Sequence, residues 1–233
     1  MAEPGLELRL RGLTERGFVL AGELSVPAAA MLALIGPSGG GKSTALDVIA
    51  GFVAADAQVR VNGRDIAGLP PAARPVSMLF QDHNLFPHLS ARDNVALGAD
   101  PSARPNAAAR AAADAALADV GLAGLGDRRP AALSGGQRSR AALARALIRA
   151  RPVLLLDEPF AALGPGMRRD MLALVRQLQA RAGITVVLVT HDPDEARAAD
   201  LAAVVAEGKI SAPRPAPALF DDPPPALRDW LGG

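Results

Sequence analysis

Nine consecutive residues combine glycine, lysine and hydroxyl side chains in the spacing G-x-x-x-x-G-K-S/T. They are Gly36, Pro37, Ser38, Gly39, Gly40, Gly41, Lys42, Ser43 and Thr44. An apolar run precedes them and a helical pattern follows, which is the context that a phosphate-binding loop requires. Glycines let backbone N–H groups turn inward at a helix N-terminus and bind phosphate oxygens. We therefore expect Lys42 to reach the β- and γ-phosphates of a nucleotide and Ser43 to coordinate Mg²⁺. The alternative is a glycine-rich turn that binds nothing.

Two adjacent acids end an apolar strand pattern further along the chain. Asp157 and Glu158 follow the run at 153–156. A carboxylate at such a strand end, beside a phosphate loop, can hold Mg²⁺, and a neighbouring carboxylate can orient and activate an attacking water. We assign Asp157 to the metal and Glu158 to the water. Taken alone, the pair is equally compatible with a solvated strand end.

A third segment, residues 133–137, reads Leu-Ser-Gly-Gly-Gln and opens a helical pattern. Ser134 is a favourable N-cap, so one interpretation is a plain helix start. A helix N-terminus with two glycines is also an anion site, so the other interpretation is phosphate binding.

Together these segments resemble those of the ABC transporter ATPases, and the resemblance covers almost the whole chain. The pentapeptide at 133–137 is the signature of that family, whereas ordinary P-loop kinases and GTPases lack it. Gln81 follows a strand pattern at 76–80, as the family's Q-loop glutamine does, and His191 follows one at 184–190, as its switch histidine does. The resemblance implies hydrolysis of ATP to ADP and phosphate with Mg²⁺ as cofactor.

The same resemblance implies roles for individual residues. Gln81 would contact Mg²⁺ and sense a membrane partner, and His191 would contact the γ-phosphate and position Glu158 and the water. Four residues would contact the nucleotide held by a second copy of the chain, in a head-to-tail homodimer with two sandwiched ATP molecules. These residues are Ser134, Gly135, Gly136 and Gln137.

The region after the Q-loop implies a membrane partner. In the family this region contacts a short cytoplasmic helix of the permease subunit, and here it corresponds to residues 81–89. Leu85, Phe86 and Leu89 would supply the apolar contact. The alternative is a hinge between subdomains with a small core of its own.

The transported solute is indicated only by the sequence similarity of three segments. Residues 74–90, with 94–98 and 101–107, look like those of the thiamine-importer ATPases. Iron(III), spermidine and sulfate importers have similar segments, but many of those ATPases carry an extra C-terminal β domain, so the short length favours the thiamine type. An importer of this kind implies a permease and a periplasmic or extracellular solute-binding protein as partners.

Two positions depart from the family pattern. Residues 161–164 read Ala-Ala-Leu-Gly where the family has Ser-Ala-Leu-Asp. In the family, the aspartate side chain helps to shape the dimer contact. Gly164 has no side chain to do this, and a glycine also loosens the backbone. We predict slower or less cooperative hydrolysis in consequence. The family also stacks an aromatic ring on adenine; the chain has no tyrosine, and Phe18 is the one aromatic residue before Gly36.

Composition excludes several other functions. A net charge of +1 in 233 residues gives no excess of basic residues of the kind that nucleic-acid-binding proteins carry. The absence of cysteine excludes disulfides and cysteine-ligated metals. No signal peptide or membrane span is predicted, so we expect a peripheral protein held at the cytoplasmic side of the membrane by its partner. His83 and His88 are interpreted as surface residues.

Alternation of strand and helix patterns predicts an α/β fold of the P-loop NTPase type with a mostly parallel sheet covered on both faces. An N-terminal antiparallel β region is formed by strands at 6–11 and 17–26 joined by a turn near 15–17. We predict one domain, 1–233, and its parts are a core (1–81 and 151–210), a helical subdomain (82–150) and a tail (211–233) with a helix near 226–231.

Two other functions stay open at this point. One is an ABC protein of DNA maintenance or of the ribosome, although those usually show long coiled coils or two ATPase cassettes, and neither pattern is present. The other is a regulatory nucleotide-binding module without turnover. Glu158 and His191 argue against that module, and Gly164 argues for it.

Overall fold

The computed structural model describes residues 3–15, 18–82, 84–102 and 104–232. It begins with two long antiparallel strands, β1 (Pro4–Glu15) and β2 (Phe18–Pro27). Leucines at alternate positions of β1 face the core, which is the pattern of a strand with one buried side. The turn predicted between these strands falls on residues 16 and 17, outside the described residues, as does His83.

One sheet runs through the described part of the chain. Its remaining strands are β3 (Met31–Ile35), β4 (Asp56–Val61), β5 (Arg64–Asp65), β6 (Val76–Leu79), β7 (Val153–Asp157), β8 (Thr185–Val189), β9 (Leu201–Ala206), β10 (Lys209–Ile210) and β11 (Arg214–Pro215). The order is β5-β4-β1-β2-β10-β9-β3-β8-β7-β6, and β11 pairs with β9. The α/β fold predicted from the sequence is confirmed.

The two halves of the sheet pair differently. Strands β9, β3, β8, β7 and β6 are parallel, whereas β5, β4, β1 and β2 are antiparallel. The Asn62-Gly63 turn, a hairpin signal in the sequence, leads from β4 into β5, so β4 is not an edge strand. Carboxyl ends of parallel strands meet along one edge, which is where ligands bind in such sheets.

Helices cover both faces of the parallel half. On one face lies α1 (Lys42–Ala50), whose Leu46 and Ile49 are fully buried. On the other lie α4 (Gly135–Leu147) and α5 (Pro165–Ala182). Because both faces are covered, β3, β7 and β8 are almost continuously apolar.

Two further helices and two 3-10 turns lie between α1 and α4 in the described part of the chain. The helices α2 (Ala91–Ala99) and α3 (Ala107–Asp119) pack against α4 and are capped by Ser90 and Asn106. The sequence reasoning assigns no element to α2, although a serine three residues before an aspartate is a helix-start signal. The short 3-10 turns are Pro71–Ala73 and Pro130–Ala132.

The C-terminal segment packs onto the core. After α6 (Pro193–Arg197) the chain forms β9 to β11 and then two short helices, α7 (Ala216–Asp221) and α8 (Pro225–Trp230). One helix near the end is predicted and present, and α7 is additional. Arg197 of α6 lies 4.5 Å over the ring of Phe220, and Leu219 and Leu227 are buried. None of the helices in the described residues has the length and apolar character needed to cross a membrane.

Candidate functional site

The loop between β3 and α1 requires glycine because a neighbouring strand runs against it. A Cβ on Gly36 would lie 2.2 Å from the carbonyl oxygen of Val205 in β9, and one on Gly40 would lie 2.6 Å from the same oxygen. Gly36 and Gly41 also have φ values of 147° and 104°, which L side chains rarely adopt. The strand's backbone therefore fixes the shape of the loop.

Lys42, the first residue of α1, is 4% exposed. Its ammonium donates hydrogen bonds to the carbonyl oxygens of Gly36 and Pro37, each at 2.9 Å. Burial lowers the pKa of Lys42, while the charges of Glu158 and Asp157 oppose that shift. The lysine thus lies folded over its own loop, where a phosphate bound by the loop's N–H groups would meet it.

Ser43 and Asp157 meet although 114 residues separate them. The Ser43 hydroxyl donates to Asp157 Oδ1 at 2.8 Å, because α1 begins beside the carboxyl end of β7. Burial raises the pKa of Asp157, and the Ser43 hydrogen bond opposes this. A hydroxyl and a carboxylate oxygen side by side are donors that fit Mg²⁺.

Glu158 and His191 also meet, from the ends of adjacent parallel strands. His191 Nδ1 lies 3.1 Å from Glu158 Oε2. Glu158 has φ 43°, in the left-handed region, and its N–H donates to the carbonyl of Val189 at 3.1 Å. Such backbone strain in a non-glycine residue is held by surrounding structure and clusters at functional sites. The strain aims the Glu158 carboxylate toward the histidine.

Gln81 and the rest of the predicted nucleotide contacts lie near this edge of the sheet. Gln81 follows β6, the neighbour of β7, and its side chain is exposed. Ser38 and Gly39 are exposed at the tip of the loop, and Thr44 is partly buried in the first turn of α1. The side chain of Phe18 lies outside the described residues, so its stacking on adenine stays a prediction.

The segment at 134–137 forms a capping box. Gln137 N–H donates to Ser134 Oγ at 3.3 Å, and the Ser134 N–H donates to Gln137 Oε1 at 2.9 Å. A Cβ on Gly136 would lie 2.4 Å from Met167 Sδ, and one on Gly135 would lie 3.9 Å from Leu163. Ser134 itself is exposed. The helix-start interpretation is therefore confirmed, and the trans contact with ATP stays a prediction.

Sequence reasoning missed two arginines, one beside the site and one at the opposite end of α1 from Lys42. Arg168 in α5 forms an ion pair with Asp192, the residue after His191, at 2.8 Å. Arg74 is 6% exposed and donates four hydrogen bonds to backbone carbonyls around the end of α1. The Asp-Pro pair at 192–193 is a helix-start signal that marks Asp192, but no sequence signal distinguishes these arginines from the many others.

More than half of the sequence matches the model of a known family. Residues 21–161 match the model of the ABC transporter family. The chain belongs to the ABC transporter ATPase family. The phosphate loop and the two strand-end acids lie within the matched range, so membership of the family accounts for them. It also makes the protein an ATPase.

Two curated relatives are similar over nearly their full length. The thiamine import ATP-binding protein of Cereibacter sphaeroides is 56% identical over 217 residues, covering 92% of this chain and 94% of that protein. The thiamine import ATP-binding protein of Ruegeria sp. is 52% identical over 229 residues, covering 97% and 99%.

A solved structure shares the fold of this ATPase. It is the crystal structure of the ADP conformation of an ATP-binding cassette of an ABC transporter, with a TM-score of 0.86 and 26% sequence identity. The match covers 99% of each chain. Because the match covers nearly all of both chains, the likeness of fold extends to the region of α2 to α4 and of the antiparallel strands.

Proposed function

We propose that this ATPase powers a thiamine importer from the cytoplasmic side of the membrane, as the peripheral subunit of a complex with permease subunits and an external solute-binding protein. The observation that carries the catalytic part is the pair of contacts at one sheet edge, Ser43 with Asp157 and Glu158 with His191. The thiamine assignment rests on the names of relatives 56% and 52% identical to this chain. The alternative solutes are iron(III) and polyamines.

Binding of ATP follows from the loop. The N–H groups of residues 36–44 and the Lys42 ammonium would bind the β- and γ-phosphates. Mg²⁺ would be held by Ser43 and Asp157, with Gln81 as a further oxygen donor, and it supplies charge neutralisation to the β- and γ-phosphates. Lys42 would exchange its carbonyl partners for phosphate oxygens.

Hydrolysis needs a base and a group that orients it. Glu158 would accept a proton from a water whose oxygen attacks the γ-phosphorus, while the bond from that phosphorus to the bridging oxygen breaks and ADP leaves with the electron pair. His191, 3.1 Å from Glu158 Oε2, would hold the carboxylate and contact the γ-phosphate. A second chain would supply its residues 134–137 to the same ATP, in the homodimer proposed above.

A cleft of about 800 Å³ supports permease docking beside Gln81. It is lined by Phe52, Phe80, Phe86 and Leu89, and Phe52 and Phe86 are 54% and 46% exposed. The rings of Phe52 and Phe80 lie 5.8 Å apart. A helix with an apolar face fits such a groove. The two phenylalanines outside 81–89 extend the surface predicted from the sequence.

The segment that forms one wall of the cleft is fastened to α2. Asn94 is fully buried and accepts from the Phe86 N–H at 2.7 Å, while its amide donates to the carbonyl of Phe86 at 3.0 Å and of Ser90 at 3.0 Å. The cleft wall therefore moves with the helices at 91–147, which we propose act as the subdomain that transmits dimer closure.

The test measures ATPase activity and solute uptake together. Glu158→Gln should bind ATP with unchanged affinity but lose about 10²–10⁴-fold in kcat. Cells lacking the gene should recover uptake of labelled thiamine with the wild-type chain and not with Glu158→Gln. Wild-type hydrolysis by Glu158→Gln would refute the catalytic assignment. Failure of the wild-type chain to restore thiamine uptake, with permease and binding protein present, would move the solute to iron(III) or a polyamine.

A further inference from the structure

The loop that follows Glu158 is held by one side chain of the next helix. Arg168 lies in the first turn of α5, and its Nε donates to the carbonyl of Leu163 at 2.9 Å. Its Nη2 lies 3.4 Å from the carbonyl oxygen of Ala161. Gly164, the N-cap of α5, makes no side-chain cap hydrogen bond, and the two contacts of the guanidinium tie the loop to the first turn of the helix.

The same guanidinium reaches the segment that carries the histidine. Arg168 Nη1 lies 2.8 Å from Asp192 Oδ2, and the two side chains are only 24% and 25% exposed. Asp192 Oδ1 in turn accepts from the N–H of Asp194 at 2.9 Å. Although burial acts to raise it, the pKa of Asp192 is lowered by the hydrogen bonds from Asp194 N–H and Arg168. The lowered pKa favours the charged form of the Asp192 carboxyl, and the pair is largely enclosed.

Arg168 thus bridges the two segments that must stay aligned. Glu158 directly follows β7 and His191 follows β8, so their side chains belong to different loops beyond the sheet. The distance of 3.1 Å between them depends on how the loops at 158–164 and 190–192 are placed relative to each other. A planar guanidinium with several fixed donors can hold both loops at once.

We propose that Arg168 is a positioning residue for ATP hydrolysis, which by tying Ala161 and Leu163 to Asp192 keeps Glu158 aligned with His191. The inference rests on the catalytic roles proposed for that pair. It predicts a loss in the chemical step without a loss in ATP binding, because Arg168 contacts neither the phosphate loop nor α1. A role confined to the stability of α5 would change the unfolding midpoint and leave kcat of the folded protein intact.

The experiment compares Arg168→Gln with Arg169→Gln. Arg169 is the next residue of the same helix, exposed, so its substitution is matched in chemistry and position. We expect kcat to fall about 10²-fold in Arg168→Gln, the effect of roughly 1 Å of misplacement, with KM for ATP unchanged. Arg169→Gln should keep wild-type kcat. Equal kcat in the two variants overturns the proposal.

Two further variants separate geometry from charge and from folding. Arg168→Lys keeps the charge opposite Asp192 but loses the fork, so we expect a kcat between wild type and Arg168→Gln. If Arg168→Gln does not fold, Asp192→Asn serves instead, because asparagine is also a good N-cap and removes only the ion pair. Asp192→Asn with wild-type kcat would overturn the proposal.

A double variant distinguishes failure of this inference from failure of the proposed function. If Glu158 is the base, adding Arg168→Gln to Glu158→Gln should lower kcat no further, because residues that act as a unit are not additive. Full independent losses would show that Arg168 does not act through Glu158. Wild-type turnover in Glu158→Gln alone would instead refute the role of Glu158, whatever the arginine does.

Discussion

Arg74 lies where the last turn of α1 meets the chain leading into β6, and we expect its replacement to destabilise the protein strongly. Its guanidinium donates to the carbonyls of Val48 at 2.7 Å and Ile49 at 2.8 Å, which lie in the last turn of α1, where carbonyl oxygens outnumber the N–H groups available to them. It also donates to Ala67 at 2.7 Å and to Leu69 at 2.9 Å. The side chain is 6% exposed, so water does not replace these partners easily.

The magnitude follows from those four hydrogen bonds. A hydrogen bond from a charged donor contributes about 1.5–3 kcal/mol, which gives ~6–12 kcal/mol for four before offsets. Desolvation of the guanidinium works against this gain, as burial also lowers the pKa of Arg74, with the charge of Asp65 opposing. Removing the arginine leaves buried carbonyl oxygens without this donor, at about 1–3 kcal/mol for each one left unsatisfied, so a net loss of about 3–5 kcal/mol remains. We expect Arg74→Met to lower the free energy of unfolding by that amount, a large share of a typical ~5–15 kcal/mol.

The assay is equilibrium unfolding in urea, with Arg64→Met as control because Arg64 is exposed on β5. The midpoint should shift at an unchanged m value for Arg74→Met and barely move for the control. Since α1 begins with Lys42, weaker ATP binding should accompany the loss. A loss below ~1 kcal/mol, within the range of ordinary surface substitutions, would refute this account of Arg74.

Three further predictions test other contacts. Gly40→Ala should weaken ATP binding and cost about 1–3 kcal/mol of stability, because its Cβ would lie 2.6 Å from Val205 O; isothermal titration and urea unfolding measure both. Burial raises the pKa of Glu195, which means that the folded protein favours the neutral carboxyl. The resulting stability is fully present below the pKa of this group in the unfolded chain, and it is lost as pH rises through its pKa in the folded protein. Glu195→Gln should therefore raise Tm at pH 8 and match wild type at pH 4, and equal Tm at pH 8 would contradict this. Gly164→Asp should make ATP hydrolysis faster or more cooperative, and as an N-cap it should add a few tenths of a kcal/mol to the free energy of unfolding. Unchanged turnover and cooperativity would count against this prediction.

Much of the fold could be predicted because its signals are local. The apolar runs at β3 and β7 mark buried strands, and the glycine-rich loop gives the helix after it a sharp start. The bounds of α5 also carry local signals, because Pro165 and Gly183 mark its two ends. Short elements such as β5 and β10 were missed because two-residue strands depend on partners distant in sequence, not on their own composition.

Some features of the candidate site could likewise be predicted from the sequence, and others could not. The pairing of Ser43 with Asp157 was predictable once each segment had a family role. The positive φ of Glu158 has no sequence signal, because it is imposed by the bond from its N–H to Val189. Gly164 has φ and ψ of −69° and 160°, which are ordinary for any residue, so an aspartate could adopt the same conformation, and the effect of the glycine on hydrolysis stays a prediction.

The contact between the phosphate loop and β9 has a consequence for how mutations are tolerated. Gly36 and Gly40 lie against the carbonyl oxygen of Val205, an atom that every amino acid carries. Substitution at 205 changes the packing of the core but leaves that oxygen in place, whereas any side chain at 36 or 40 collides with it. Tolerance is therefore one-sided: a deep mutational scan should find position 205 open to other apolar residues and the two glycines closed.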